Sequence, residues 1–340
     1  MDCIKFIVYG ILFSALSFVG KTTSPASLGL IGDSADVTRP TSGGTVLVGG
    51  GRDVDAAMQW MIKKSGGGDF VIIRATGTDA YNSYIYNLGS VNSVETLLIN
   101  SRTLANDPQV EATIRRAEAV FIAGGDQANY VNYWKDTRVE DALNYLRNMK
   151  QVPIGGTSAG CAILGRTYFS AINGTVTSSE ALANPYNRYV TLGYDDFLSQ
   201  PYLSNVITDT HFNNPDRRGR LITFLARMNK DYGVIGRGIG IDESTALCIE
   251  FDGTSKVFGS GIVFFLSQNG LNNQPEKCVS GSSLDWYRNR QAITIYKIAG
   301  NESGSESFDL KTWSPISGDD VYQYYYVNRG TLGIFFDDKK

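Results

Sequence analysis

Histidine is nearly missing from this sequence: one occurs in 340 residues, at position 211. Chemistry that couples a hydroxyl nucleophile to an imidazole base therefore has a single base to use. An excess of one charge is missing too. The formal charge is only −3, so there is no basic surplus of the kind phosphate backbones reward, and no nucleic-acid partner is expected. Long apolar runs are confined to the start, since nothing beyond Val19 is long and apolar enough to span a bilayer. Neither a metal nor a cofactor is expected.

The one long run, Phe6 to Val19, follows a short segment ending at Lys5 and is rich in Phe, Leu, Ile and Val. It falls short of the ~20 apolar residues that a span needs and reads as a secretory signal over residues 1–20. The mature chain is expected to be secreted and, with the signal removed, not held by a membrane. Cysteine is scarce: losing Cys3 with the signal leaves Cys161, Cys248 and Cys278. Cys161 follows a glycine-rich turn into an expected buried helix and is read as free, which leaves Cys248 with Cys278 as the one expected disulfide. N-x-S/T sequons at Asn173 and Asn301 agree with a secretory route and mark both as glycosylation candidates.

Glycine, by contrast, is abundant, and from Thr45 it punctuates a repeated unit of apolar run, glycine turn and helical stretch. That is the rhythm of βαβ units. Strands are predicted at Thr45–Val48, Phe70–Arg74, Thr96–Ile99, Ala119–Ile122 and Val152–Ile154. They are apolar throughout rather than alternating, as in a sheet buried on both faces. Val54, Ala57, Met58, Met61 and Ile62 recur at helical spacing, as do Val110, Ile114 and Ala117. Asp107 is placed to cap the second helix, with Pro108 at its first position. After about Gly253 the texture shifts to short β-type runs, including Ile262–Leu266 and Ala292–Ile298. The expected fold is α/β, a mostly parallel sheet with helices on both faces and a β-rich C-terminal part. Residues 21–42 read as a linker, 43–312 as the main domain and 313–340 as a tail or extra hairpin.

Chemistry concentrates in VPIGGTSAGCAILG, Val152–Gly165, where Gly156, Ser158 and Gly160 form a G-x-S-x-G frame. Such a frame lifts a serine onto a strained strand-to-helix turn. The following helix aims its amides at the same spot, so the Ala159 amide is a candidate oxyanion donor. If Ser158 is a nucleophile its base is His211, which follows the apolar run Val206–Thr208 at a strand's C-terminal end, where open α/β sheets assemble their sites. The orienting carboxylate stays open among Asp209, Asp242 and Glu243. Downstream, DRRGR brings Arg217, Arg218 and Arg220 close together. Read by itself, it is a solvated first helical turn paired with Asp216.

GGTVLVGGG, FIAGGDQANY, GGTSAGCAILG, DTHFNNPDRRGRL, GIGIDESTAL and ITIYKIAGNESGSESFDL occur in this order over about residues 43–312. Together they resemble the serine peptidases that include cyanophycinase and the aspartyl dipeptidase peptidase E. The resemblance implies a fold like the class I glutamine amidotransferases, often as a homodimer. It implies Ser158 as nucleophile, His211 as base and Glu243 as triad acid. Gly125 and Asp126 of the GGDQ turn then join Ala159 at the oxyanion, and Gln127, Asp209, Thr210, Arg217, Arg218 and Arg220 face substrate. Cyanophycinases tend to carry glutamine where this chain has Thr210, and Pro215 enters the stretch leading to the arginines, so cyanophycin itself need not be the substrate. The expected activity is hydrolysis of aspartyl or β-aspartyl peptide bonds in an acidic or aspartyl-containing peptide. The alternative is an idle secreted matrix or binding protein that keeps the fold.

Overall fold

The computed structural model describes residues 24–316 and 323–337. The signal-like run Phe6–Val19 and Cys3 lie outside the described residues. In chain order the strands are β1 (Ser27–Gly32), β2 (Gly44–Val48), β3 (Asp69–Arg74), β4 (Ser93–Leu98), β5 (Ala119–Ile122), β6 (Pro153–Thr157), β7 (Thr167–Phe169), β8 (Leu192–Tyr194) and β9 (Val206–Thr210). Then follow β10 (Arg237–Ile241), β11 (Thr245–Glu250), β12 (Thr254–Gly259), β13 (Ile262–Gln268), β14 (Ile293–Ala299), β15 (Ser305–Asp309), β16 (Ser314–Pro315), β17 (Gln323–Asn328) and β18 (Thr331–Phe336).

The five glycine-punctuated apolar runs lie together as the parallel centre of a ten-stranded sheet, in the order β4-β3-β5-β6-β2. Their uniform apolarity has the expected cause. Along β3, Phe70 and Ile72 enter a cluster with Met58, Met61 and Ile62 of the helix Asp55–Lys64, while Val71 and Ile73 enter another with Val110 and Ile114 of the helix Pro108–Arg116. Burying each such side chain contributes about 1.5–3 kcal/mol. Asp107 caps the second helix, accepting from the Gln109 and Val110 amides at 2.8 and 3.2 Å.

Around this centre the sheet becomes antiparallel. The segment read as a linker contributes β1, which pairs with β4 at one edge, and β11, β12, β15 and β16 extend the other edge beyond β2. The β-rich C-terminal part is therefore shared between two sheets. The second sheet runs β18-β17-β14-β13-β10-β9, with only β9 and β10 parallel. Ile239, Val263 and Phe265 on one of its faces join the core of the first sheet. Phe264, Leu266 and Ile293 on the other pack on the helix Arg218–Tyr232. Residues beyond 313 contribute β16 and the hairpin β17–β18.

The expected disulfide is not made: Cys161, Cys248 and Cys278 are all free and buried. Cys248 faces the cluster beneath the helix Asp55–Lys64, whereas Cys278 belongs to the cluster of the second sheet beside Leu284 and Trp286. Two thiols in separate cores cannot approach to bonding distance without backbone movement. Burial pushes all three up, Cys161 to about 12 and Cys278 to about 11, which makes them inert packing groups. Reductant is accordingly expected to leave the melting temperature unchanged, and Cys161, Cys248 and Cys278 should all alkylate when the chain is unfolded without reductant. A protected Cys248–Cys278 pair in that peptide map would contradict the assignment.

Candidate active site

β6 runs directly into Ser158, which adopts φ 52° and ψ −117°, a sparsely populated conformation that surrounding contacts must hold in place. Two glycines make the turn possible. A Cβ on Gly156 would fall 2.5 Å from the Gly160 carbonyl, and one on Gly160 would fall 2.2 Å from the Ile122 carbonyl oxygen. The helix that follows is a single turn, Ala159–Ala162. Its macrodipole is correspondingly smaller than the sequence reading assumed, because that field grows with aligned peptide units. Ala159 nevertheless borders the same cleft as Gly125 and Asp126.

β9 delivers His211 beside this turn. Ser158 Oγ lies 2.8 Å from His211 Nε2, and His211 Nδ1 lies 2.6 Å from Glu243 Oε1. The base and the carboxylate meet because β9 and β10 are parallel neighbours in register, Thr210 against Ile241, so their C-terminal ends open at one place. Of the three acids left open by the sequence, only Glu243 bonds the imidazole. Asp209 is buried and bound by Arg220, whose Nε lies 2.8 Å from Oδ2. Asp242 accepts from Asn213 Nδ2 at 2.7 Å and from the Ile262 amide at 3.1 Å. Its burial raises the carboxyl pKa.

Sequence reasoning assigned the Gly49–Gly51 run no part in the site, yet this loop after β2 frames it. The consecutive carbonyls of Val48, Gly49 and Gly50 accept from the amides of Ser158 (3.0 Å), His211 (2.7 Å) and Ser244 (2.8 Å). Gly50 has φ +96°, and a Cβ there would sit 2.4 Å from His211 Cε1 and Nε2. The imidazole therefore rests on bare backbone. Three glycines in a row were the available signal, but a turn explains them equally well until the partner ring is located.

The cleft has a volume of about 330 Å³, and Ser158, His211, Gln127, Thr210, Arg217 and Arg220 all line it. Asp126 caps the helix Gln127–Trp134, its Oδ1 accepting from the Ala128 amide at 2.9 Å. The three arginines separate. Arg218 pairs with Asp216 at 2.9 Å and is not among the cleft-lining residues. Arg220 is buried, bound through two nitrogens to Asp209 and donating to Thr175 Oγ1 at 3.1 Å. Arg217 donates Nη1 to the Thr210 carbonyl at 2.9 Å, and its Nε is buried without a hydrogen-bond partner. Burial, and then the neighbouring Arg220, lower its pKa. Phe169, Ala171, Gly174 and Thr175 complete the wall, and nothing in their own sequence marked them. Both sequon asparagines are exposed, and Asn173 precedes two of these wall residues.

Comparison with known proteins bears on this arrangement, for the model of Peptidase family S51 matches residues 70–257, more than half of the chain. The chain belongs to peptidase family S51. The S51 match spans Ser158, His211 and Glu243, while the Gly49–Gly51 loop and the β17–β18 hairpin lie outside it. Among similar proteins, the cyanophycinase of Nostoc sp. is 29% identical over 198 residues, 58% of this chain and 61% of that one. The cyanophycinase of Synechococcus elongatus is 31% identical over 183 residues, 54% of this chain and 52% of that one. The chain thus spans less than two thirds of the length of these curated relatives. The crystal structure of a peptidase from an acI-B1 Actinobacterium has a similar fold, with a TM-score of 0.51 at 17% identity, covering 79% of this chain and 98% of that one.

If the glycine loop seats the histidine, Gly50→Ala should lower hydrolysis by about a hundredfold, the cost of displacing a reacting group by roughly 1 Å. Gly270→Ala also places a Cβ at positive φ (+89°), but with nothing within 4 Å, and should leave the rate near wild type. Equal rates for the two variants would show that Gly50 does not seat the ring.

Proposed function

We propose that this S51 chain is a secreted serine peptidase that hydrolyses aspartyl or β-aspartyl peptide bonds through Ser158, His211 and Glu243. The observation that carries the reading is the pair of consecutive hydrogen bonds, Ser158 Oγ to His211 Nε2 and His211 Nδ1 to Glu243 Oε1. In this reading His211 Nε2 takes the Ser158 proton as Oγ attacks the scissile carbonyl, and Glu243 holds Nδ1–H so that the free lone pair faces the serine. The Ala159 amide and the Gly125–Asp126 turn stabilise the oxyanion. The imidazolium then gives its proton to the leaving amine, and water, deprotonated by the same base, releases the acyl group from Ser158. Export rests on the Phe6–Val19 run of the sequence, and glycosylation at Asn173 and Asn301 is part of the same proposal.

Ser158→Ala should abolish hydrolysis while leaving the fold intact, and His211→Ala should cost a comparable factor. The double variant should be little worse than either, because triad members act as a unit. Additive losses would separate the two residues. Glu243→Gln should lower kcat well below Asp242→Asn, and labelling of Ser158 by a serine-directed phosphonate should report the nucleophile directly.

Substrate choice is proposed to follow from Arg217, the cleft arginine with an unpartnered buried Nε. Arg220 already holds the Asp209 carboxylate through two nitrogens, which leaves Arg217 with donor capacity for an incoming aspartyl carboxylate, and a guanidinium can hold such a group through two parallel hydrogen bonds. Otherwise identical aspartyl and asparaginyl peptides test this. Wild type should favour the acidic peptide, and Arg217→Ala should remove most of that preference while Arg218→Ala keeps it. Equal cleavage of both peptides by wild type would end the carboxylate reading and leave the triad untouched.

A further inference from the structure

Two acids follow β10, and they leave the strand toward different partners. Glu243 reaches the His211 ring, whereas Asp242 reaches the turn that carries it. That turn, His211 to Arg217, joins β9 to the helix Arg218–Tyr232. Main-chain bonds hold both of its ends. The His211 amide donates to the Gly49 carbonyl at 2.7 Å, the Phe212 amide to the Ile241 carbonyl at 3.2 Å and the Arg217 amide to the Phe212 carbonyl at 2.9 Å. Asn213 is exposed and is tied inward by its side chain, Nδ2 donating to Asp242 Oδ2 at 2.7 Å.

Asp242 itself is fixed firmly enough to serve as an anchor. Its amide donates to the Ile262 carbonyl at 3.1 Å, and its Oδ2 accepts from the Ile262 amide at 3.1 Å, so main chain and side chain are both bound to the start of β13. Close neighbours confine it further. A Cβ on Gly261 would fall 2.7 Å from Asp242 Cβ, and one on Gly49 would fall 2.0 Å from the Asp242 carbonyl oxygen. The residue is only 7% exposed, and its Oδ1 is buried without a hydrogen-bond partner among the described residues. An unpaired buried acceptor costs stability. An apolar residue chosen for packing would avoid that cost, so the carboxyl is kept for what Oδ2 holds.

We propose that Asp242 is a positioning residue for the base: through Asn213 it holds the His211–Arg217 turn and so fixes the direction from which the His211 ring presents Nε2 to Ser158. The inference rests on the triad reading of Ser158, His211 and Glu243. His211 has φ 49°, a sparsely populated conformation that persists only where neighbours over-determine it. The Gly49 carbonyl restrains it at its own amide, and the Asn213–Asp242 bond restrains the chain two residues later. The consecutive acids thus divide the work, Glu243 orienting the ring and Asp242 the backbone beneath it. What the turn uses is an acceptor oxygen, which the amide of an asparagine also provides.

The test measures kcat and KM on one peptide for Asn213→Ala, Asp242→Ala, the double alanine variant and Asp242→Asn, together with the rate at which a serine-directed phosphonate labels Ser158. Displacing a reacting group by roughly 1 Å costs about a hundredfold, and losing one tie among several should cost about tenfold. Each single alanine variant should therefore lose about tenfold in kcat with KM within about twofold, and should label more slowly by a similar factor, because the base acts in the transition state. The double variant should be no slower than either single one. Asp242→Asn should stay within about threefold of wild type, since it keeps the acceptor. Asn213→Ala alters an exposed side chain and should leave the melting temperature unchanged, so its loss of kcat cannot come from unfolding. Wild-type kcat in Asn213→Ala overturns the proposal, as do additive losses or an Asp242→Asn as slow as Asp242→Ala. A wild type whose Ser158 resists the phosphonate counts against the triad itself and takes the positioning role with it.

Discussion

Three consecutive carbonyls at the end of β2 hold the site together. Val48, Gly49 and Gly50 receive the amides of Ser158, His211 and Ser244, so one strand end sets the backbone positions of the serine, the histidine and the residue after Glu243. The three arrive from different elements, β6 of the first sheet and β9 and β10 of the second. Without this shared rail, the Ser158–His211 distance would depend on how two sheets settle against each other. A hydrogen bond of 2.8 Å tolerates only tenths of an ångström. The glycines follow from that demand, because a side chain at 50 would occupy the volume of the imidazole.

The strain at the site fits the same picture. Ser158, His211 and Ser244 all have positive φ without being glycine, conformations that cost of order 1–3 kcal/mol each and persist only where neighbours over-determine them. Here the neighbours are the β2 carbonyls, the Gly156–Gly160 contact and the Asp242 carboxyl, which ties Asn213 just beyond His211 to the start of β13. Beneath the cleft the Asp209–Arg220 pair is buried and hydrogen-bonded at both ends. Removing either partner would strand an unpaired buried charge, a change that is strongly destabilising. That pair is best seen as floor, with Arg217 standing above it.

Local patterns in the sequence were legible where a local cause operates. The parallel strands were readable because burial on both faces demands apolar residues at every position, as Phe70 to Ile73 illustrate, and Asp107–Pro108 was readable because capping involves only the next three residues. Partnerships across the chain were not. Cys248 and Cys278 looked like a pair because they were the two thiols left over, and only the packing put them in separate cores. Arg217, Arg218 and Arg220 looked equivalent within DRRGR, until the start of the helix turned one toward Asp216, one into the Asp209 floor and one along the cleft.

By itself the sequence determined which residue types were available and where the strands would end: a serine in a glycine frame, one histidine at a strand terminus, acids at another. Chain chemistry suffices for that, since turn, strand and cap preferences act over a few residues. The tertiary structure decided that Glu243 rather than Asp242 or Asp209 meets the imidazole. Successive residues leaving a strand point in different directions, and the register of β10 against β9, together with the glycine rail of β2, selects which of them faces His211.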